Sequence, residues 1–281
     1  MKILEHPDLA YSQVAQWRQS GQRVGLIPTM GALHAGHLSL VRRSLEECDR
    51  TVATIFVNPT QFGPGEDFAK YPRTQQQDLS GLSELGVDLV FAPSQSDLYP
   101  EGFSTFLQPP AAAEPLEGIF RPIHFRGVVT VVLKLFHILP ATIAYFGQKD
   151  YQQLTVIRRM VHDLNVPILV QGCPTVRQAD GLAMSSRNRY LTAQQRPSAL
   201  CLWKALESAK RMFEQGHREV SAIEAEMQRI LKQEGADRID YARIVDAEYL
   251  TDLQRIDRTA VALVAVHVGQ TRLIDNCLLE V

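Results

Sequence analysis

Five short apolar runs, at residues 24–27, 51–57, 87–91, 143–146 and 168–171, are separated by stretches whose apolar residues recur every three or four positions, at 37–47, 74–85, 128–139 and 151–164. Continuous apolar runs of this length read as strands buried on both faces, and the spacing between them reads as amphipathic helices. Strand–helix alternation with short loops leaves few options. Parallel strands require crossovers, and crossovers of one hand put helices on both faces of a sheet. After Pro174 the rhythm changes: helical stretches at 192–214 and 220–234 precede strand candidates at 241–245, 260–268 and 272–279. The expected fold is therefore α/β, a Rossmann-like doubly wound parallel sheet domain over residues 1–175, followed by a smaller C-terminal α+β domain over 176–281. A hinge is expected near 176–180, and the Pro/Ala patch at 109–115 reads as a loop.

With 281 residues the chain has ample material for a core, and 45% hydrophobic against 21% charged residues is a globular balance. A net charge of -2 gives no reason to expect a nucleic-acid or membrane partner. Cys48, Cys173, Cys201 and Cys277 are far apart with no CxxC pair, which reads as reduced thiols in a cytoplasmic protein rather than a zinc site or disulfide framework. No apolar segment follows Met1-Lys2, so no secretory leader is expected. The apolar stretch at 128–139 is interrupted by Lys134 and His137 and is too short to span a bilayer.

In an open parallel sheet, ligands bind at the carboxyl ends of the strands, so the loops there carry the chemistry. The first is Pro28-Thr29-Met30-Gly31-Ala32-Leu33-His34-Ala35-Gly36-His37, leading into a helix with Leu38, Val41 and Leu45 on one stripe. A helix N-terminus with unpaired N–H groups suits an anion, Gly36 permits close approach of a phosphate, and two imidazoles add donors. Helix capping is the competing reading for both histidines. In Asn58-Pro59-Thr60-Gln61-Phe62-Gly63, Gln61 offers neutral donors and acceptors suited to hydroxyl and carboxylate groups, and an exposed polar turn is the alternative. In Phe146-Gly147-Gln148-Lys149-Asp150-Tyr151-Gln152-Gln153, Lys149 is placed like a phosphate lysine and Asp150 suits capping, ribose or metal contact, while Gln153 lies one turn into the next helix. In Asp180-Gly181-Leu182-Ala183-Met184-Ser185-Ser186-Arg187-Asn188, two hydroxyls followed by a guanidinium suit a phosphate clamp on a closing linker. No GxxxxGK[ST], dinucleotide-binding glycine fingerprint, HExxH or GxSxG motif is present.

His34-Ala35-Gly36-His37 resembles the HxGH motif of the nucleotidyltransferase superfamily, and Met184-Ser185-Ser186-Arg187 resembles its second, KMSKS-type loop. With Ile55-Phe56-Val57-Asn58-Pro59, Tyr71-Pro72-Arg73-Thr74, His124-Phe125-Arg126-Gly127-Val128, the 146–153 block and Leu273-Ile274-Asp275-Asn276, the likeness is to the pantoate–β-alanine ligase (pantothenate synthetase) family. It runs nearly the whole chain. Thr60 and Gln148 stand where Met and Glu are common in that family.

The resemblance implies ATP-dependent condensation of pantoate with β-alanine through a pantoyl-adenylate, releasing AMP and pyrophosphate, by a cytoplasmic homodimer. By position it implies ATP contacts at Met30, Gly31, Ala32, Leu33, His34, Ala35, Gly36, His37, Gly147, Gln148, Lys149, Asp150, Val176, Met184, Ser185, Ser186 and Arg187. Pantoate falls to Gln61 and Gln153, with Gln61 also meeting β-alanine, and the family gives His37 the acid role. On chemical grounds His34, His37, Lys149 and Arg187 are the catalytic candidates, since an anion attacking a polyanion needs charge neutralisation rather than a base. Mg²⁺ is expected mainly on the ATP phosphates, with no dedicated protein metal site. Pro28, Met30, Phe62, Val128 and Val131 are candidate apolar walls. The rivals are a mononucleotide adenylyltransferase of the same superfamily, whose second phosphate would need more basic residues than Gln61 and Gln153 provide, and a non-enzymatic nucleotide-binding module.

Overall fold

The computed structural model describes all residues, Met1–Val281. The chain forms two compact units, one of Met1–Gln148 with Gln153–Pro174 and one of Lys149–Gln152 with Thr175–Val281.

The first unit is a six-stranded sheet of β1 (Lys2–Leu4), β2 (Val24–Ile27), β3 (Arg50–Thr54), β4 (Leu89–Phe91), β5 (Ile143–Gly147) and β6 (Leu169–Cys173). Its order is β1-β4-β3-β2-β5-β6 and every neighbouring pair is parallel. The helices are α1 (Pro7–Gln19), α2 (Ala35–Glu47), α3 (Gln75–Leu85), the one-turn α4 (Gln95–Leu98) and α5 (Glu117–Phe120), α6 (His124–Ile138), and α7 (Tyr151–Asp163), whose first two residues group with the second unit. Successive strand residues alternate between two cores, as the pleat requires. Leu26, Val52, Phe91 and Phe146 join Val14 of α1, Val129 of α6 and Ile157 of α7 on one face. Ile27, Ala53, Val90 and Tyr145 join Val41 of α2 and Leu82 of α3 on the other. This is the doubly wound sheet expected from the alternation. Val128 and Val131 lie in the first core, while Phe62 packs in a small cluster with Ala32 and Tyr71 against Met30.

The chain runs outward from β2 through β3 to β4 and, on the other side, from β5 to β6, so the winding reverses between β2 and β5. That gap is where an open sheet leaves a crevice at its carboxyl ends. Helix α2 lies hard against β2 there: a Cβ on Gly25 would stand 2.1 Å from Ser44 Oγ. The buried Ser44 and Thr51 hydroxyls satisfy each other at 2.8 Å.

The periodicity does not show β1, α1 or the one-turn α4 and α5. The three residues of β1 are largely exposed, and α1 fully buries only Ala10 and Val14, too sparse a stripe to register. The run at 51–57 ends its strand at Thr54, after which Phe56 N–H turns to Thr29 O at 3.1 Å. The 109–115 patch holds a single 3₁₀ turn, Ala111–Ala113.

In the second unit β7 (Arg238–Asp246), β8 (Ala260–Val268) and β9 (Thr271–Leu279) form an antiparallel sheet in that order. Helices α8 (Gln195–Ser198), α9 (Cys201–Glu214) and α10 (Val220–Gln233) precede it. Leu206, Ile223 and Met227 pack on Ile244, Val264 and Leu279. The single helix read over 192–214 is broken, because Pro197 falls inside it and the backbone closes 3₁₀-type before restarting at Cys201.

Helix α6 docks on the 3₁₀ turn Pro59–Gln61 that follows β3. A Cβ on Gly127 would meet Thr60 O at 2.4 Å and Gln61 N at 2.5 Å, so only glycine fits. His124 Nδ1 lies 3.0 Å from the Gln61 carbonyl, which can only accept, so this imidazole carries its proton on Nδ1. Burial, helped by Arg121, lowers the His124 pKa from 6.5 to about 4. The unfolded chain takes up a proton below pH 6.5 that the folded chain refuses until about pH 4. This contribution is therefore complete above pH 6.5 and shrinks as pH falls, by about 3 kcal/mol across the window. Asparagine retains a donor for the carbonyl but cannot titrate, so His124→Asn is expected to remove that part of the acid sensitivity. Urea unfolding at pH 7 and pH 4.5 checks it; an unchanged difference between the two pH values would contradict it.

Candidate active site

The loop after β2 is held at both ends. At its start, Thr29 Oγ1 donates to Thr54 O at 2.5 Å and accepts from Gly31 N–H at 3.1 Å. Gly31 and Ala32 then both adopt positive φ, 76° and 51°. Only glycine does so freely, and Ala32 is strained by roughly 1–2 kcal/mol. The buried carboxylate of Asp78, from α3, offsets this by accepting from Ala32 N–H at 2.9 Å and Leu33 N–H at 2.8 Å. Hydrogen bonds to a charged group contribute about 1.5–3 kcal/mol each, so two of them exceed the strain.

The turn delivers His34 to the N-cap of α2 in extended conformation. His34 Nδ1 accepts from Gly36 N–H at 3.1 Å, and His37 Nδ1 accepts from His34 N–H at 3.4 Å. The ring centroids are 4.0 Å apart. Capping and ligand binding were competing readings of these residues, and capping is in place through one edge of each ring. With both δ nitrogens accepting, each neutral ring carries its proton on Nε2. No acidic residue sits in the first turn of α2. The end of the helix facing the carboxyl edge of β2 is thus electropositive, with Nε2–H as the donor of each ring.

Beside it, Gln61 is buried and oriented. Its Oε1 accepts from Asn58 Nδ2 at 3.0 Å, which turns its Nε2 toward Met30 Sδ at 3.2 Å. Asn58, itself buried, also donates to Gly127 O at 3.2 Å and accepts from Tyr99 O–H at 2.8 Å and Thr60 Oγ1 at 2.9 Å. Thr60, the departure from the family pattern, is part of this network. The structure therefore brings Met30 and Gln61 together. Gln153 is half-buried in α7.

Gln148–Asp150 form a 3₁₀ turn between β5 and α7, of which Lys149 and Asp150 group with the second unit. Lys149 Nζ lies 3.4 Å from Asp150 Oδ1, and Lys149 O accepts from Asn276 Nδ2 at 2.8 Å. The 176–188 segment is a built loop. Met184 N–H donates to Val176 O, and Gln178 N–H to Leu182 O. Gly181, at φ 94°, leaves room for Trp203, which a Cβ would meet at 2.4 Å. Arg177 grips Asp275 with two hydrogen bonds, at 2.6 and 3.1 Å, and stacks 4.3 Å from the Trp203 ring. Ser185 caps the following 3₁₀ helix (Ser186–Tyr190) by accepting from Arg187 N–H at 3.3 Å, and Asn188 Nδ2 ties back to Ala183 O at 3.0 Å. These bonds set Ser185, Ser186 and Arg187 on a braced turn.

The chain matches the pantoate–β-alanine ligase family over residues 2–278. It is 50% identical to the pantothenate synthetase of Moorella thermoacetica over 281 residues, covering 100% of this chain and 99% of that protein. The crystal structure of the Thermus thermophilus pantothenate synthetase superposes with a TM-score of 0.92 at 44% identity, covering 100% of both chains. The chain belongs to the pantoate–β-alanine ligase family. A third member, the Francisella tularensis pantoate–β-alanine ligase solved with β,γ-ATP and β-alanine, matches with a TM-score of 0.82 at 35% identity, covering 99% of this chain and 97% of that one.

Within this ligase, Asn58 and Asp78 hold Gln61 and the 31–33 turn, and neither arrangement is apparent from the sequence. Asn58 was visible inside a matched block but gave no sign of its four partners. Asp78 lies 45 and 46 positions from the N–H groups it accepts, so only Thr74, four residues before it, hinted at a local bond.

The two edges of His34 are separable. His34→Asn keeps an acceptor near the Nδ1 position and a residue type suited to an N-cap, but has no Nε2–H. It is expected to melt within a few degrees of the parent and to bind ATP about tenfold more weakly, on the scale of one hydrogen bond to a charged group. His34→Ala is expected to lose the cap, about 1 kcal/mol, and to show the same drop in ATP affinity. Thermal melts alongside calorimetric titration with ATP separate the two; equal ATP affinity in His34→Asn and the parent would contradict the assignment.

Proposed function

We propose that this ligase condenses pantoate with β-alanine at the expense of ATP, in two steps. A pantoate carboxylate oxygen bonds to the α-phosphorus as the bond to pyrophosphate breaks, giving pantoyl-adenylate. The β-alanine nitrogen then bonds to the acyl carbon, AMP leaves with the carbon–oxygen bonding pair, and the amine gives up a proton. The observation that carries this reading is the family match over nearly the whole chain. It also decides against the mononucleotide adenylyltransferase and the non-enzymatic module.

The roles follow from the chemistry. The first step needs no base, because a carboxylate is ionised at neutral pH; its barrier is charge repulsion. His34 and His37 are assigned to the phosphates through Nε2–H. Lys149, Ser185, Ser186 and Arg187 are assigned to the leaving pyrophosphate, where oriented donors stabilise the charge that develops. Lys149 would exchange its part-exposed Asp150 partner for phosphate, and such a pair holds it weakly. Met30 to His37, Gly147 to Asp150, Val176 and Met184 complete the ATP contacts, with Asp150 on the ribose. Gln61, pre-oriented by Asn58, and Gln153 are assigned to pantoate, and Gln61 also to β-alanine. A neutral amide suits a substrate whose carboxylate must stay nucleophilic. The chain has no group of three His, Cys, Asp or Glu side chains able to hold a metal, and the donor set fits Mg²⁺ carried on the triphosphate oxygens. No helix is long and apolar enough to cross a membrane. A cytoplasmic homodimer, with residues 176–281 acting as a lid, completes the proposal.

Pantoate-dependent exchange of labelled pyrophosphate into ATP, without β-alanine, tests the first step. AMP release needing both acids tests the whole. His37→Ala and Lys149→Ala are each expected to slow exchange by roughly a hundredfold or more. Exchange that proceeds without pantoate, or AMP release that ignores β-alanine, would overturn the reading.

A further inference from the structure

The carboxylate of Asp78 has an unusual placement for an acidic residue beside a polyanion site. It is buried, it comes from a helix far along the chain, and it receives two successive backbone N–H groups, Ala32 and Leu33, at 2.9 and 2.8 Å. Thr74 Oγ1 lies 3.2 Å from both of its oxygens and fixes the rotation of the group. Gly31 leaves room for it, since a Cβ there would stand 3.0 Å from Asp78 Oδ2. Successive N–H groups in a left-handed turn form a concavity that binds anions. Here that concavity is already filled by the protein's own carboxylate.

We propose that Asp78 is a positioning residue for ATP. It occupies the only anion concavity that the Gly31–Leu33 turn would otherwise offer and latches the turn in its positive-φ form. That fixes the direction in which the chain enters α2, and with it the placement of the His34 and His37 rings, one and four residues beyond Leu33. A phosphate is thereby directed to the Nε2–H edges instead of the turn's backbone. The inference rests on the proposed use of the imidazoles for ATP, but it assigns the residue that sets where they stand.

Asn at position 78 supplies one acceptor oxygen and sets an NH₂ against the other N–H, so it unlatches the turn without changing volume. In pantoate-dependent ATP–pyrophosphate exchange, Asp78→Asn is expected to lower kcat/KM for ATP by thirtyfold or more, with KM for pantoate within about threefold. Adding Ala32→Gly, which removes the strain the latch opposes, is expected to recover at least fivefold of the loss. Leu98→Ala, a cavity variant in the core on the opposite sheet face, controls for stability and is expected to keep its kcat/KM while melting lower. Should Asp78→Asn not fold, Thr74→Val, which only frees the carboxylate to rotate, carries the test with an expected loss of about fivefold. Parent-like kcat/KM in the variant that folds, or an equal loss in Leu98→Ala, would overturn the proposal. Absence of exchange in the parent would instead overturn the functional reading.

Discussion

Helix α2 opens with N–H groups that no helical carbonyl can reach, and the chain satisfies two of them with imidazole nitrogens. This bond does two jobs. It ends the helix properly, and it fixes the tautomer, so that each ring presents N–H rather than a lone pair at its far edge. A serine or aspartate would cap as well, but serine would present no second donor and aspartate would add negative charge where the proposed function puts a phosphate. The capping nitrogen and the donor nitrogen belong to one rigid ring, so the position of the donor follows from the position of the helix.

The helix in turn is placed by close contacts that tolerate little change. Gly25 lets α2 lie on β2, and the hydroxyl pair of Ser44 and Thr51 satisfies the polar groups buried by that approach. At the other end of α2, Tyr145 O–H donates to Glu47 at 2.8 Å, tying the helix to β5 across the reversal in strand order. The same logic governs Gln61, whose amide is aimed by Asn58 and whose backbone is held by His124 and the close approach of Gly127. In each case a buried polar group is held by hydrogen bonds, which makes its orientation costly to change.

Legibility in the sequence followed the strength of local pattern. β8 runs over residues 260–268 as its continuous apolar, valine-rich run indicates, and α10 starts at Val220 as read. The parallel sheet followed from the rhythm of apolar runs, because a strand buried on both faces shows no polar alternation. The turn at His34–His37 stood out through its glycines and its place after a buried strand. Elements held by tertiary contact left little trace. α1 hides because it buries only two side chains fully, and the break before α9 was passed over despite Pro197. The hold of Asp78 on the 31–33 turn is silent for a deeper reason: its partners there are backbone N–H groups, which have no sequence signature. The backbone strain at Ala32, a residue with no stated preference for positive φ, was equally invisible.

The two imidazoles hold α2 by Nδ1, and the proposed function has them meet the nucleotide by Nε2–H. The direct test is nitrogen-15 NMR of the histidine rings in the labelled protein, with and without ATP. The account predicts that His34 and His37 both carry hydrogen on Nε2 and none on Nδ1, and that ATP shifts the Nε2 signals while leaving Nδ1 capped. Hydrogen on Nδ1 of either ring in the free protein, or Nε2 signals unmoved by saturating ATP, would contradict it.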